Sequence, residues 1–396
     1  MPLRRLPFLF LLLLLSSEPA PGQNAPPGTA LPKPYPVGFR IIKTYDASRA
    51  FDTTRRDSLR FRPVKIDVFY PAAQTGGAAP LPYGYFLDLN GHRIHFHNPP
   101  DSCRKEGNAL AAYFESGLGL PPGTLRRLPT RSYPSLPAAP GPFPVVLYLP
   151  GYNGMSYENL PLLEGLAARG YLVAAVSSVG KYPGYMTMDP VDLIEQVADA
   201  GFAASLIRQL FPAASPRTAA VGYSWGGLAA TILGMQDAMA DFPLRAVVSL
   251  DGNDRYYYGG DAAEDAQFTA LRRSAYFRPG ALTAPHLYLG SGRESFDFPV
   301  DSVFVLAKAT RAGAIRYLRL PGTGHEDFSG LPFLAGQGGG PPGKAARVYP
   351  AVGALVAGWL DAFVKGKDAF ADTLQTLQRQ DPSLLTAAEP VTGRPG

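Results

Sequence analysis

A serine hydroxyl becomes a useful nucleophile only where a base can take its proton and the backbone holds it exposed. The segment Gly222-Tyr223-Ser224-Trp225-Gly226-Gly227 has the Gly-x-Ser-x-Gly spacing that meets the second condition. That spacing has meaning only between a strand and a helix. Thr218–Val221 reads as the strand, and Leu228–Met235 as the helix. A serine on such a turn is held in a strained backbone conformation at a strand tip. Gly222 and Gly226 keep side chains out of the neighbouring strand and helix. The helix start behind Ser224 also favours developing negative charge.

The base must be one of five histidines, His92, His95, His97, His286 and His325. Serine hydrolases built on an α/β sheet run nucleophile, acid, base along the chain, which leaves His286 and His325. His286 opens a strand after Ala284-Pro285 and is expected to cap or line the sheet. His325 lies in Pro321-Gly322-Thr323-Gly324-His325-Glu326-Asp327-Phe328, a loop directly after the last strand. It is the expected base. For the acid that fixes the imidazole tautomer, Asp251 ends the run Val247–Leu250, directly after the strand that follows the elbow. Glu294 and Asp297 follow the next strand and remain alternatives. Asp251 is preferred because it sits at the strand tip, whereas Asp297 lies seven residues past Gly290. Acyl transfer also needs donors for an oxyanion. The expected donors are the backbone N–H of Trp225 and that of Tyr152, in Leu149-Pro150-Gly151-Tyr152-Asn153-Gly154.

His92, His95 and His97 share one segment rich in Gly, Asn and Pro, and read as a surface loop rather than a metal site. Cys103 reads as an inert thiol. A single cysteine excludes an intrachain disulfide framework and a thiolate zinc site. The chemistry assigned to Ser224 requires neither metal nor organic cofactor.

These side chains need a frame. From Val145 the chain alternates buried-strand runs (Val145–Leu149, Leu172–Val176, Thr218–Val221, Ala246–Leu250, His286–Leu289, Ile315–Leu320) with helical stretches. The helices are Leu160–Arg169, Asp189–Leu210, Leu228–Met235 and Val348–Val364. That alternation implies an α/β fold, a mostly parallel central sheet with helices on both faces. Upstream, Val64–Tyr70 alternates like a half-buried strand. Ala72–Pro144 reads as a long irregular insertion with one helix around Asn108–Ser116. A second long loop spans Asn253–Pro279. Both are rich in Tyr, Phe and Leu and are placed to build an acyl pocket or a lipid-facing rim.

The 396 residues are 46% hydrophobic and 17% charged, which excludes a mainly disordered chain. A net charge of +5 without a dense Lys/Arg run gives nucleic-acid binding no support. A weakly basic face is compatible with peripheral contact to anionic lipid. Met1–Gly22 carries Arg4 and Arg5, a ten-residue apolar run from Leu6 to Leu15, then small residues before Gln23. That order reads as a secretory signal peptide, too short for a permanent span. The expected organisation is signal peptide 1–22, Pro/Gly-rich leader 23–36, one domain 37–366 and a C-terminal tail 367–396, in a secreted or periplasmic protein.

With these residues assigned, the chain resembles the α/β-hydrolases of the platelet-activating factor acetylhydrolase type, the plasma group VII phospholipase A2 relatives. Tyr45-Asp46-Ala47-Ser48-Arg49 and Arg62-Pro63-Val64 to Phe69-Tyr70-Pro71 resemble that family's opening. The elbow at Ser224, the Leu250-Asp251 pair and the His325–Phe328 segment resemble its triad segments. Pro150-Gly151 and Tyr223 depart from it where the family carries histidine. Dienelactone-hydrolase-like enzymes are also similar, but their nucleophile is usually cysteine. The resemblance implies an α/β-hydrolase fold and hydrolysis of short acyl esters or phospholipid sn-2 acyl groups. Another ester or lactone hydrolase, or a catalytically silent binding protein of the same fold, would share most of these letters. An intact Ser, Asp and His set argues against the silent relative.

Overall fold

The apolar run Phe143–Leu149 is buried along its whole length, as a strand covered on both faces must be. It is strand β4 of a sheet with ten strands among the described residues of the computed structural model. Those residues are 34–51, 60–181, 186–236, 239, 241–252, 262–292, 306, 310–340 and 343–387. The other strands are β1 (Val37–Ala50), β2 (Phe61–Pro71), β3 (Ser132–Pro134), β5 (Leu172–Val176), β6 (Ala214–Tyr223), β7 (Leu244–Leu250), β8 (His286–Gly292), β9 (Ile315–Pro321) and β10 (Thr386–Ala387). Their order across the sheet is β10-β9-β8-β7-β6-β4-β5-β2-β1-β3. From β5 through β9 neighbouring strands are parallel. The pairs β1/β2, β2/β5 and β9/β10 are antiparallel.

The helices described are α1 (Tyr83–Asp88), α2 (Asn90–Ile94), α3 (Pro100–Gly117), α4 (Thr124–Arg127), α5 (Leu160–Ala168), α6 (Pro190–Leu210), α7 (Trp225–Leu233), α8 (Ala262–Arg273), α9 (Leu331–Gln337), α10 (Ala345–Phe363) and α11 (Phe370–Gln380). They divide between the two faces of the sheet. Val146 and Tyr148 of β4 join an apolar cluster with residues of α5, α9 and α10. Val145, Leu147 and Leu149 join another with residues of α6 and α7. The period of two along one strand thus feeds two helical layers.

Three expectations need correction. Strand β2 is not half-buried: every residue from Arg62 to Pro71 is buried. Its polar members are neutralised inside the protein rather than by water. Lys65 Nζ lies 2.5 Å from Asp67 Oδ1, and Ser156 Oγ donates to Asp67 Oδ2 at 2.6 Å. The Ala72–Pro144 insertion is not irregular with a single helix but holds four, α1 to α4. Arg126 pairs with Asp88 at 2.7 Å, and the Glu115 carboxylate accepts the Gly123 and Leu125 amides at 2.7 and 2.8 Å. Polar links of that kind between distant positions leave no apolar periodicity to read. The C-terminal segment is not a free tail. Phe370 of α11 packs on Trp359, ring centroids 4.8 Å apart, and β10 pairs with β9.

Residues 1–33, which hold the expected signal peptide and most of the expected leader, lie outside the described residues, as do Glu294, Asp297 and residues 253–261. The remainder of the expected Asn253–Pro279 loop is not irregular but carries α8. Among the described residues no helix is long and apolar enough to cross a membrane.

Candidate active site

The carboxyl ends of the parallel strands β4, β6, β7 and β9 come together, which is where α/β sheets place their ligands. Register sets the proximity: Leu149 pairs with Gly222, and Tyr223 with Leu250. The residues of interest follow these strand ends: Gly151 and Tyr152 after β4, Ser224 after β6, Asp251 after β7 and His325 after β9.

Ser224 has φ 55° and ψ −124°, a conformation side-chain-bearing residues rarely adopt. The turn is held from both sides. Ser224 N donates to Leu250 O at 2.9 Å, and Gly227 N to Ser224 O at 2.9 Å. A Cβ on Gly222 would run into the Gly226 carbonyl, and one on Gly226 into the Leu149 and Pro150 carbonyls. Only glycine lets the strand, the following helix and the β4 tip approach this closely.

The structure brings Ser224, His325 and Asp251 into one hydrogen-bonded chain. Ser224 Oγ lies 2.9 Å from His325 Nε2, and His325 Nδ1 lies 2.7 Å from Asp251 Oδ2. The second carboxylate oxygen of Asp251 accepts the Ser291 amide at 2.7 Å. Asp251 is nearly buried and itself adopts φ 45°. The His325 imidazole stacks on the Tyr223 ring, centroids 5.0 Å apart and planes inclined by 23°. Tyr223 Oη donates to the His325 carbonyl at 3.3 Å. Asp327 fixes the same segment from below by accepting the Gly324 amide at 2.8 Å.

The turn after β4 lies against Ser224: a Cβ on Gly151 would stand 3.3 Å from the Ser224 Cβ. Gly154 N donates to Gly151 O at 2.8 Å, which closes the turn and leaves the Tyr152 amide outside its hydrogen bond. Trp225 opens α7, and the first amides of a helix have no intrahelical acceptor. Asn153 has φ 56°, and its Oδ1 accepts Arg93 Nη1 at 2.8 Å and the Met186 amide at 2.9 Å. Gln196 Nε2, on α6, donates to Pro150 O at 2.8 Å.

Beneath this turn sits Glu158, a carboxylate that the sequence reading missed. It accepts Tyr148 Oη at 2.6 Å and the Gly151 amide at 3.0 Å, and only 7% of the residue is exposed. Burial pushes its pKa up to about 7, against the pull of Tyr148 and Gly151. The nearby Glu326 pushes it further up, and His325 draws it back. A charged residue inside the otherwise uncharged stretch Met155–Leu163 was the available signal.

The other histidines do different work. His286 is buried, with Nε2 3.0 Å from Thr231 Oγ1. His92 is on helix α2 rather than in an open loop, its Nδ1 3.2 Å from Lys43 Nζ and 3.7 Å from Cys103 Sγ. Burial and the Lys43 charge lower its pKa to about 4. His97 Nε2 meets Tyr45 Oη at 2.6 Å. Among the described residues no three His, Cys, Asp or Glu side chains gather as a metal site.

No protein-family model and no curated protein matches the chain. Among solved structures, a ferulic acid esterase from Streptomyces cinnamoneus superposes with a TM-score of 0.59, covering 87% of this chain and 93% of that one at 23% identity. The likeness, with the parallel sheet and its two helical layers, defines the chain as an α/β-hydrolase fold.

Proposed function

We propose that this chain is an exported serine hydrolase of carboxylic esters. The observation that carries the reading is the continuous chain from Ser224 Oγ through the His325 imidazole to the Asp251 carboxylate. In the first half-reaction Ser224 Oγ attacks the ester carbonyl carbon while His325 Nε2 takes its proton. Asp251 holds the Nδ1–H and stabilises the imidazolium. The Tyr152 and Trp225 amides donate to the oxyanion. His325 then returns the proton to the departing alcohol, leaving an acyl-enzyme. Water attacks that ester by the same steps in reverse roles and frees Ser224.

That the structural neighbour is a ferulic acid esterase supports the carboxylic ester class. The resemblance of the triad segments to the acetylhydrolases supports short acyl chains or phospholipid sn-2 acyl groups as substrate. The order of charges, apolar run and small residues in Met1–Gly22 supports export, and the net charge of +5 is compatible with peripheral contact to an anionic lipid surface.

The test is hydrolysis of p-nitrophenyl esters from acetyl to palmitoyl by the chain from Gln23, with Ser224→Ala alongside. Turnover falling steeply beyond butyryl, and reduced about 10⁴-fold in the variant, is the expected result. Absence of turnover at every chain length, with no labelling of Ser224 by a fluorophosphonate, would sink the reading in favour of a silent binding protein.

A further inference from the structure

We infer that Glu158 is a positioning residue that locks the turn bearing the Tyr152 amide to the segment bearing His325; the catalytic meaning rests on the ester-hydrolase reading above. Its side chain and its backbone reach in two directions. The carboxylate accepts the Gly151 amide, 3.0 Å from Oε1 and 3.3 Å from Oε2. The Glu158 carbonyl accepts the Gly330 amide at 2.7 Å, five residues beyond His325. Gly330 has no room to move away. A Cβ there would stand 2.9 Å from Pro161 and 3.1 Å from the Tyr349 hydroxyl.

The anchor is itself anchored. Tyr148 Oη donates to Glu158 Oε1 at 2.6 Å and accepts Asn159 Nδ2 at 2.8 Å. Tyr349 Oη, on α10, donates to Asn159 Oδ1 at 2.8 Å. One polar chain therefore joins β4, the turn after it, the His325 segment and a helix of the outer layer. A buried carboxylate is a costly way to hold a structure together when apolar packing would serve. Here it holds one backbone amide, Gly151, immediately before Tyr152, at a position where an added Cβ would stand 3.3 Å from the Ser224 Cβ. The Gly151 carbonyl, in the same peptide plane as the Tyr152 N–H, accepts Gly154 N at 2.8 Å. With both sides of Gly151 held, the Tyr152 amide keeps one direction, which is what a preorganised oxyanion donor requires.

The experiment compares the chain from Gln23 with Glu158→Ala and Glu158→Gln, using p-nitrophenyl butyrate and fluorophosphonate titration to count working sites. Glu158→Ala is expected to lower kcat per titrated site by about 10- to 100-fold with KM within about threefold, because the lost interaction acts on the transition state. Glu158→Gln keeps an oxygen acceptor for Gly151 and Tyr148 and is expected to recover to within about threefold of the parent. Hydrogen exchange supplies a readout that does not depend on any substrate. In Glu158→Ala, peptides covering 149–156 and 322–332 exchange faster, while those of β6 and β7 do not change. If Glu158→Ala does not fold, Tyr148→Phe carries the same two measurements with smaller effects, about three- to tenfold in kcat. Unchanged kcat per site together with unchanged exchange in both segments would overturn the inference. Loss of wild-type turnover with the exchange difference intact would leave Glu158 as the lock and remove only the ester chemistry.

Discussion

Ser224 and Asp251 both carry positive φ, 55° and 45°, and each such residue costs on the order of 1–3 kcal/mol. Their amides show what offsets the strain: Ser224 N donates to Leu250 O, and Asp251 N to Leu289 O at 2.7 Å. Each strand tip is thus tied to its neighbour strand, so Ser224 and Asp251 keep their spacing without help from a ligand. Glu158 is the third costly residue, and its cost varies with pH. Its pKa is about 7 in the folded chain against an ordinary value of 4.5. Between those pH values the folded state holds a proton that the unfolded state has lost, so stability from this group falls as pH rises through the window. Glutamine does not titrate. The melting temperature of Glu158→Gln relative to wild type should therefore rise between about pH 4.5 and pH 8 by a few degrees, reflecting about 3 kcal/mol. Thermal melts of both proteins across that range decide it; a constant difference would show that Glu158 titrates as an exposed carboxylate does. Ser224, Asp251 and His325 could be singled out because each stands close after a strand end. Glu158 was not, because its role depends on Tyr148, Gly151 and Gly330, which no local spacing connects.

At the scale of elements, the site depends on how closely three backbones approach behind Ser224. Gly226 touches the carbonyls that end β4, and Gly222 touches the Gly226 carbonyl in turn. An added methyl group meets backbone in both places, and backbone cannot swing aside as a flexible side chain can. Gly226→Ala should destabilise the protein by about 3 kcal/mol or more, and the fraction that folds should react slowly with fluorophosphonate. Gly165→Ala is the matched control. Gly165 lies inside α5 with open space around its Cβ position, so alanine there should be neutral or stabilising by up to about 1 kcal/mol. Denaturant unfolding of the pair measures both, and equal effects would refute the close-approach argument. The parallel strands were legible as elements because burial on both faces makes them uniformly apolar. Their ends were read short: β6 begins at Ala214 rather than Thr218, since Pro216 and Arg217 break the apolar run while the backbone continues. Strand β1 was missed for the same reason. Beyond Phe39 most of its residues are exposed or half-buried, so its hydrogen bonds to β2, not its side chains, make it a strand.

For the whole molecule, the sheet edges are what the sequence left hidden, and the β9 edge bears on the proposed catalysis. His325 stands four residues after β9 ends at Pro321, so whatever steadies β9 steadies the proposed base. Part of that support comes from the last described residues. Thr386 and Ala387 pair with Arg319 and Leu318, and Leu384 and Leu385 are buried just before them. Phe370 covers Trp359, which is 1% exposed. A buried Phe or Leu side chain contributes roughly 1.5–3 kcal/mol by area. Removing residues 367–396 strips three of them from the core and leaves β9 as an unpaired edge. The shortened chain should melt at least about 5 °C lower. Its turnover at low temperature should stay within about threefold of the full chain, because Phe328, α9 and α10 still hold the His325 segment from the other side. Differential scanning calorimetry with a parallel esterase assay separates the two effects. An unchanged melting temperature would return the segment to the status of a passive tail. Loss of turnover well below the transition would mean that β10 positions His325 directly, making the edge strand part of the support of the proposed site.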